Sequence, residues 1–408
     1  MKKIHIFLIL LFIPIFISAQ EQHEVSVIEV EVPVRVTNGS IFIDNLTIND
    51  FELYENGQLQ KIRSLYLIKE AVLQKNESPS WTSPSTERQF FMLFQMQDFI
   101  PRLNEVIDLL FNEVLQEKDT LTIMTPLKRY TLSNQALQTK SKEVLAEELK
   151  ALIRKDTMVG SSDYNSLLRE LKRLVTSISS SNPMAGIEHD STSGQFGIEI
   201  LLNRYKQTLE KMDELRMVDE KKILTLAQQL KRISGQKIVF FFYQREFRPE
   251  LEPRITNQIM SLYQDKSEIT DLVQDLFQMY HRQSSIHLDR LKMAFADSSI
   301  LFNFIFMNKD PENISGIKMN EQSEDVFSIF TEAAISTGGI VDNSQNPVAG
   351  FKNAVNASES YYLLTYAPAN HQADGKFKEI KVMLKDKDYK VFHRDGYFSV
   401  EGKDKIQP

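Results

Sequence analysis

The feature that most restricts this chain is a series of strand-length apolar runs held apart by helix-length stretches. FFMLFQM (90–96), IVFFFY (238–243) and ILFNFIF (300–306) show no polar alternation, as strands covered on both faces require. TLTIMT (120–125) adds a strand, with RYTLS (129–133) as an edge partner. The stretch from 101 to 119 opens on Pro101 and places Val106, Leu109, Leu110 and Val114 at helical spacing. SKEVLAEELKALIRK (141–155) and SDYNSLLRELKRLVTSI (162–178) are amphipathic helices, and 179–194 is loop-like. Residues 197–234 have helical composition throughout and end at Gly235. Without a clean heptad they predict two packed helices rather than a coiled coil. Two helical stretches follow between about 252 and 297, then a helix over 324–337. Buried strands alternating with helices predict an α/β fold with a doubly wound, mostly parallel sheet.

Both ends of the chain change period. Ile28, Val30, Val32, Val34 and Val36 alternate with polar residues, the pattern of a half-buried strand, and Pro33 suggests an edge. Asn56-Gly57 between two β-prone runs is a type I′ hairpin signal. An N-terminal β segment is thus expected over 22–70, then a Ser- and Pro-rich linker over 71–88 that holds the only tryptophan, Trp81. The tail returns to β at 361–368, 378–386 and 389–398, within a C-terminal segment of 359–400. Each end offers too few strands to be stable alone. The two are therefore expected to pack together as a small β module.

Lys2 and Lys3, an apolar stretch from Ile6 to Ile17 and the small Ala19 have the build of a secretory signal over 1–19. No later run reaches spanning length. An exported protein, periplasmic or extracellular, with no transmembrane segment after cleavage is expected. With 48 Lys and Arg against 55 Asp and Glu, the formal charge is −7. That balance argues against nucleic acid as the partner. Cysteine is absent, which excludes disulfides, thiolate metal sites and a Cys nucleophile.

Four strings carry a resemblance: VPVRVTNGSIFIDNLTINDFELYENGQLQKI (32–62), SGQKIVFFF (234–242), STGG (336–339) and YYLLTYAPANHQADGKFKEIKVMLKDKDYKVFHRDGYF (361–398). In their order the chain resembles bacterial secreted VWFA-related proteins, which contain a von Willebrand factor A domain. The resemblance implies such a domain over 89–358, with the helical region 197–234 inside it. It also implies a metal-ion-dependent adhesion site, built from a D-x-S-x-S turn, a Thr in a helix-start loop and an Asp after the fourth strand. At those positions stand Gln95, Gln97 and Phe99, then Ser161, then Gln244 followed by Arg245. Hard divalent ions want several anionic oxygens. Two carboxylates replaced by amides, beside an arginine, predict a degenerate site with no metal and no cofactor.

No H-E-x-x-H, G-x-S-x-G, P-loop or G-x-G-x-x-G motif occurs. His281 and His287 would face apart on a helix, and His189 stands in a polar stretch. The reading that follows is a non-enzymatic, exported protein-interaction module with a degenerate adhesion site, binding an unidentified envelope or extracellular protein. A structural cell-envelope scaffold and an unrecognised hydrolase are the alternatives.

Overall fold

The computed structural model describes residues 28–78, 83–132, 134–180, 191–216, 220–281, 286–385 and 388–399. The expected signal segment, Trp81 and His189 lie outside them.

The head supplies β1 (Val30–Asn38), β2 (Ile41–Phe42), β3 (Phe51–Glu55), β4 (Gln58–Gln60), β5 (Ile62–Lys69) and β6 (Val72–Glu77). β6 falls inside the stretch read as linker. The middle begins with β7 (Arg88–Gln95), α1 (Leu103–Leu109), β8 (Thr120–Met124), β9 (Arg129–Leu132), α2 (Asn134–Thr139), α3 (Lys142–Gly160), α4 (Ser162–Ser180), α5 (Ser191–Arg216) and α6 (Glu220–Lys231). It continues with β10 (Gln236–Gln244), β11 (Phe247–Leu251), α7 (Pro253–Leu262), α8 (Ser267–Tyr280), α9 (Leu288–Asp297), β12 (Ile300–Met307), β13 (Ile317–Glu321), α10 (Glu324–Ile335), β14 (Val341–Gln345) and α11 (Pro347–Glu359). The tail gives β15 (Ser360–Tyr366), β16 (Phe377–Leu384), β17 (Lys390–His393) and β18 (Gly396–Phe398).

The expected doubly wound, mostly parallel sheet is corrected by the strand pairings. Among the described residues head and tail contribute ten of eighteen strands, all antiparallel, in two sheets ordered β17-β1-β15-β5-β6 (with β2 on β1) and β18-β16-β3-β4. A third sheet, β14-β12-β10-β7-β8-β9, is mixed, with β9 antiparallel at its edge, and β11 pairs β13 antiparallel. The fold is mixed α/β with several sheets, and antiparallel pairing dominates. The ends do not form a small appendage; they form the larger share of the sheet structure. Continuous apolar runs drew the reading toward the middle, whereas the alternating and short strands at the ends give a weaker periodic signal.

Head and tail are interleaved. β1 pairs β15 from Val30↔Tyr366 to Val34↔Tyr362, β15 pairs β5, and β16 pairs β3. The two sheets curl around one apolar filling, in which Val32, Val34, Val36, Leu53, Leu65, Tyr362, Leu364 and Tyr366 are wholly buried. Pro33 does not mark a sheet edge, because β1 lies between β17 and β15. β17 begins pairing only at Val34, so Pro33 sits just beyond its reach and needs no N–H on that side. Buried Arg394 fills the open flank by donating to the Glu31 carbonyl at 2.6 Å.

Around the mixed sheet, α1, α3 and α11 cover one face and α6, α9 and α10 the other. α4, α5, α7 and α8 enclose a separate core with the β11–β13 pair. Residues 252–297 hold three helices rather than two, and α5 begins at Ser191, inside the stretch read as loop. Gly339 shows how tightly α10 returns to the sheet. A Cβ there would lie 1.8 Å from the Phe302 carbonyl oxygen, so no other residue fits without moving the strand. No described helix is long and apolar enough to cross a membrane.

Candidate functional site

Three neighbouring strands, β7, β10 and β12, run parallel and end at one rim. Met92 of β7, Phe240 and Phe242 of β10 and Phe304 of β12 are fully buried and anchor the three strands, so that the polar residues after them emerge at that rim. Gln95 closes β7 beside Tyr243, and the chain turns through Met96, Gln97, Asp98 and Phe99.

Gln244, the last residue of β10 and 3% exposed, organises that turn. Its Oε1 accepts the backbone N–H of Gln97 at 2.9 Å and of Asp98 at 3.0 Å. Its Nε2 donates to the Asp98 carbonyl at 3.2 Å. A carboxylate would serve the two N–H donors but would repel that carbonyl. The neutral amide is therefore what this turn needs, with every polar atom of the side chain satisfied in a dry position.

The residue that sequence reasoning missed is Lys309, two positions past β12. Its ammonium donates to Gln97 Oε1 at 2.7 Å and pairs with Asp98 Oδ2 at 2.8 Å. It also lies 5.9 Å from the centre of the Tyr164 ring on α4. The Lys309 side chain is only 16% exposed. A positive charge is thus present at the rim, supplied by the chain itself.

Arg245, expected to join this group, turns away. It ion-pairs with Glu321 of β13 and lies over the Phe247 ring, and the bond to Glu321 raises its already high pKa. Phe99 packs against the core and carries the Arg154 guanidinium over its ring at 5.0 Å. Ser161 is the single residue between α3 and α4, not part of a longer loop. Its buried hydroxyl donates to the Met158 carbonyl and accepts from Asn165, both at 3.4 Å. Of the five positions the resemblance marks, the structure joins Gln97 to Gln244. Gln95 stands at the strand end, while Phe99 and Ser161 have other partners.

These residues do not fit a divalent ion. Asp98, the carboxylate of the turn, is paired with Lys309, and the Gln97 and Gln244 oxygens already accept hydrogen bonds. Among the described residues no group of three His, Asp or Glu is placed to hold a metal. Comparison with protein-family models, with curated proteins and with solved structures finds no match to this chain.

Proposed function

We propose that the chain is an exported, non-enzymatic protein-interaction module with a degenerate adhesion site, binding another envelope or extracellular protein without a bridging metal. The observation that carries this reading is the Lys309 ammonium seated between Gln97 and Asp98. An adhesion site that works through a metal must leave an open coordination position for a partner's carboxylate. Here the charge comes from a side chain that already donates to Gln97 and pairs with Asp98 inside the rim. The Gln244 bonds then hold the turn in one shape, as a preformed contact surface requires.

The test is crosslinking and capture of partners from an envelope fraction by the mature protein, with and without EDTA, alongside hydrolase activity profiling. Capture that survives EDTA, with no hydrolytic activity, is the expected result. Release of the partner by EDTA, or a hydrolase signal from the purified chain, would overturn the reading.

A further inference from the structure

We propose that the basic surface with an apolar centre, where α3 ends, docks an acidic polypeptide segment carrying an apolar anchor residue. This rests on the interaction-module reading and names the chemistry of the partner. Leu127, Met158 and Val159 are 43%, 66% and 52% exposed, and it is their grouping that sets them apart from singly scattered apolar residues. The fold draws them together. Buried Asp156 accepts from the Thr125 hydroxyl at 2.7 Å and the Tyr130 hydroxyl at 2.8 Å, pulling the β8–β9 turn onto the last turns of α3. At Gly160 a Cβ would stand 3.3 Å from Pro126 Cβ and 3.6 Å from Leu127 Cγ, so turn and helix end are in contact.

Three exposed cations adjoin that centre: Lys128, Arg154 and Lys155. Arg154 and Lys155 lie one helical turn before Met158 and Val159, on the same face. The Arg154 guanidinium is steadied over Phe99, whereas Arg129 turns to Gln229 of α6, on the other face of the sheet. Across 124–130 and 151–162 the only acid is Asp156, and it is turned inward. A chain of formal charge −7 has here gathered positive charge around apolar side chains. Charge complementarity selects a partner rich in carboxylates, which arginine forks bind in pairs, and the apolar centre selects one buried anchor. Three apolar side chains on a helix end and a turn are too few for the long apolar face with which helices lie in a membrane.

The probes are synthetic labelled peptides of Asp and Glu with a central Leu-Phe, the same peptide with Ser-Ser at the centre, and a Lys version. Binding to the full mature chain is read by fluorescence anisotropy, and binding to phosphatidylglycerol vesicles by co-sedimentation. The Leu-Phe acidic peptide should bind, and more weakly as salt rises. Its affinity should fall about tenfold in Arg154→Glu/Lys155→Glu and in Met158→Asp, but not in Arg169→Glu/Arg173→Glu on α4. These sites are exposed, and unchanged melting temperatures would show that the variants fold. No binding of the acidic peptide, equal binding of the Ser or Lys versions, or an equal loss in the α4 variant would overturn the inference. So would vesicle binding lost in the α3 variants. If EDTA-resistant partner capture persists in the α3 variants, this surface is wrong and the module reading stands; a hydrolase signal sinks the module reading alone.

Discussion

Replacing Lys309 by Met removes the internal cation while keeping an unbranched stem of similar length. Three losses set the size of the effect. The ion pair to Asp98, whose side chain is 56% exposed, contributes less than about 1 kcal/mol. The bond from a charged donor to Gln97 Oε1 adds about 1.5 kcal/mol, and the ammonium over Tyr164 about 0.5 kcal/mol. Methionine regains some packing, so a net loss of about 2 kcal/mol is expected. In a chain this long that is a fall of about 2–4 °C in melting temperature. The second half of the prediction concerns cations. A native-state site with a Kd of about 10 μM would add about 2.7 kcal/mol at about 1 mM ion. Neither the wild type nor Lys309→Met should show such a rise with Mg²⁺, Mn²⁺ or Ca²⁺, because among the described residues no group of three His, Asp or Glu is placed to hold an ion and Gln244 stays committed to backbone N–H groups. Scanning fluorimetry with each ion and with EDTA makes the measurement. A rise with Mg²⁺ in the wild type, abolished by Ser161→Ala, would refute the account of the rim. A Lys309→Met protein melting with the wild type would show that the ammonium does not hold the turn.

Other expectations follow from single contacts. Arg88 binds Asp119 through two nitrogens, with both side chains 3% exposed, so Arg88→Met should cost about 3–5 kcal/mol; Arg88→Met/Asp119→Leu should recover much of that in urea unfolding, and a double variant no better than the single would contradict it. Gly339→Ala, driven onto the Phe302 carbonyl, should cost about 3 kcal/mol or more, whereas Gly375→Ala, at φ +69° in open space, should cost about 1–2 kcal/mol. Burial holds the His393 imidazole below its ordinary 6.5, and its Nε2 accepts the Val382 N–H at 3.2 Å, which only the neutral ring does. The unfolded chain gains a proton near that value while the folded chain resists it, so this stability is lost as pH falls. The slope between about pH 7 and about pH 5 should be shallower in His393→Gln, and equal slopes would exclude the effect. On the proposed reading of an exported module, mass spectrometry of the extracytoplasmic fraction should find the chain starting at Gln20, and an intact Met1 in a membrane fraction would argue for an anchor.

What the sequence reveals about this fold depends on how far a signal must reach. Local signals survive in the structure. Asn56 and Gly57 both take positive φ in the turn between β3 and β4, as a type I′ hairpin demands. The apolar runs at 90–96, 238–243 and 300–306 fall in β7, β10 and β12, with Met96 just past the end of β7. Pairing direction is not local. Nothing in VEVPVRVTN says that β1 meets β15 from the far end of the chain, or that β17 stops one residue short of Pro33. β11 and β13 are missed for a related reason. FRPEL and IKMNE are short and carry charges; FRPEL is wholly buried, and Ile317 and Met319 of IKMNE pack into the core that α4, α5 and α8 form with them.

The rim shows the same limit more sharply. Reading Gln95, Gln97 and Gln244 as failed metal ligands treats each as a deletion of charge. The geometry shows that Gln244 makes a bond a carboxylate cannot, so its identity follows from the turn it closes. A positive charge is nevertheless present at the rim, on Lys309, separated from Gln97 by 212 residues and visible in the sequence only as one lysine after an apolar strand. The ligand positions speak for themselves alone, whereas a balancing charge at the rim can come from any strand that ends there. The parallel register of β7, β10 and β12 is what brings Gln97, Gln244 and Lys309 to one level. Once that register is known, the search for a compensating charge narrows to the few residues after each strand, and Lys309 is where it ends.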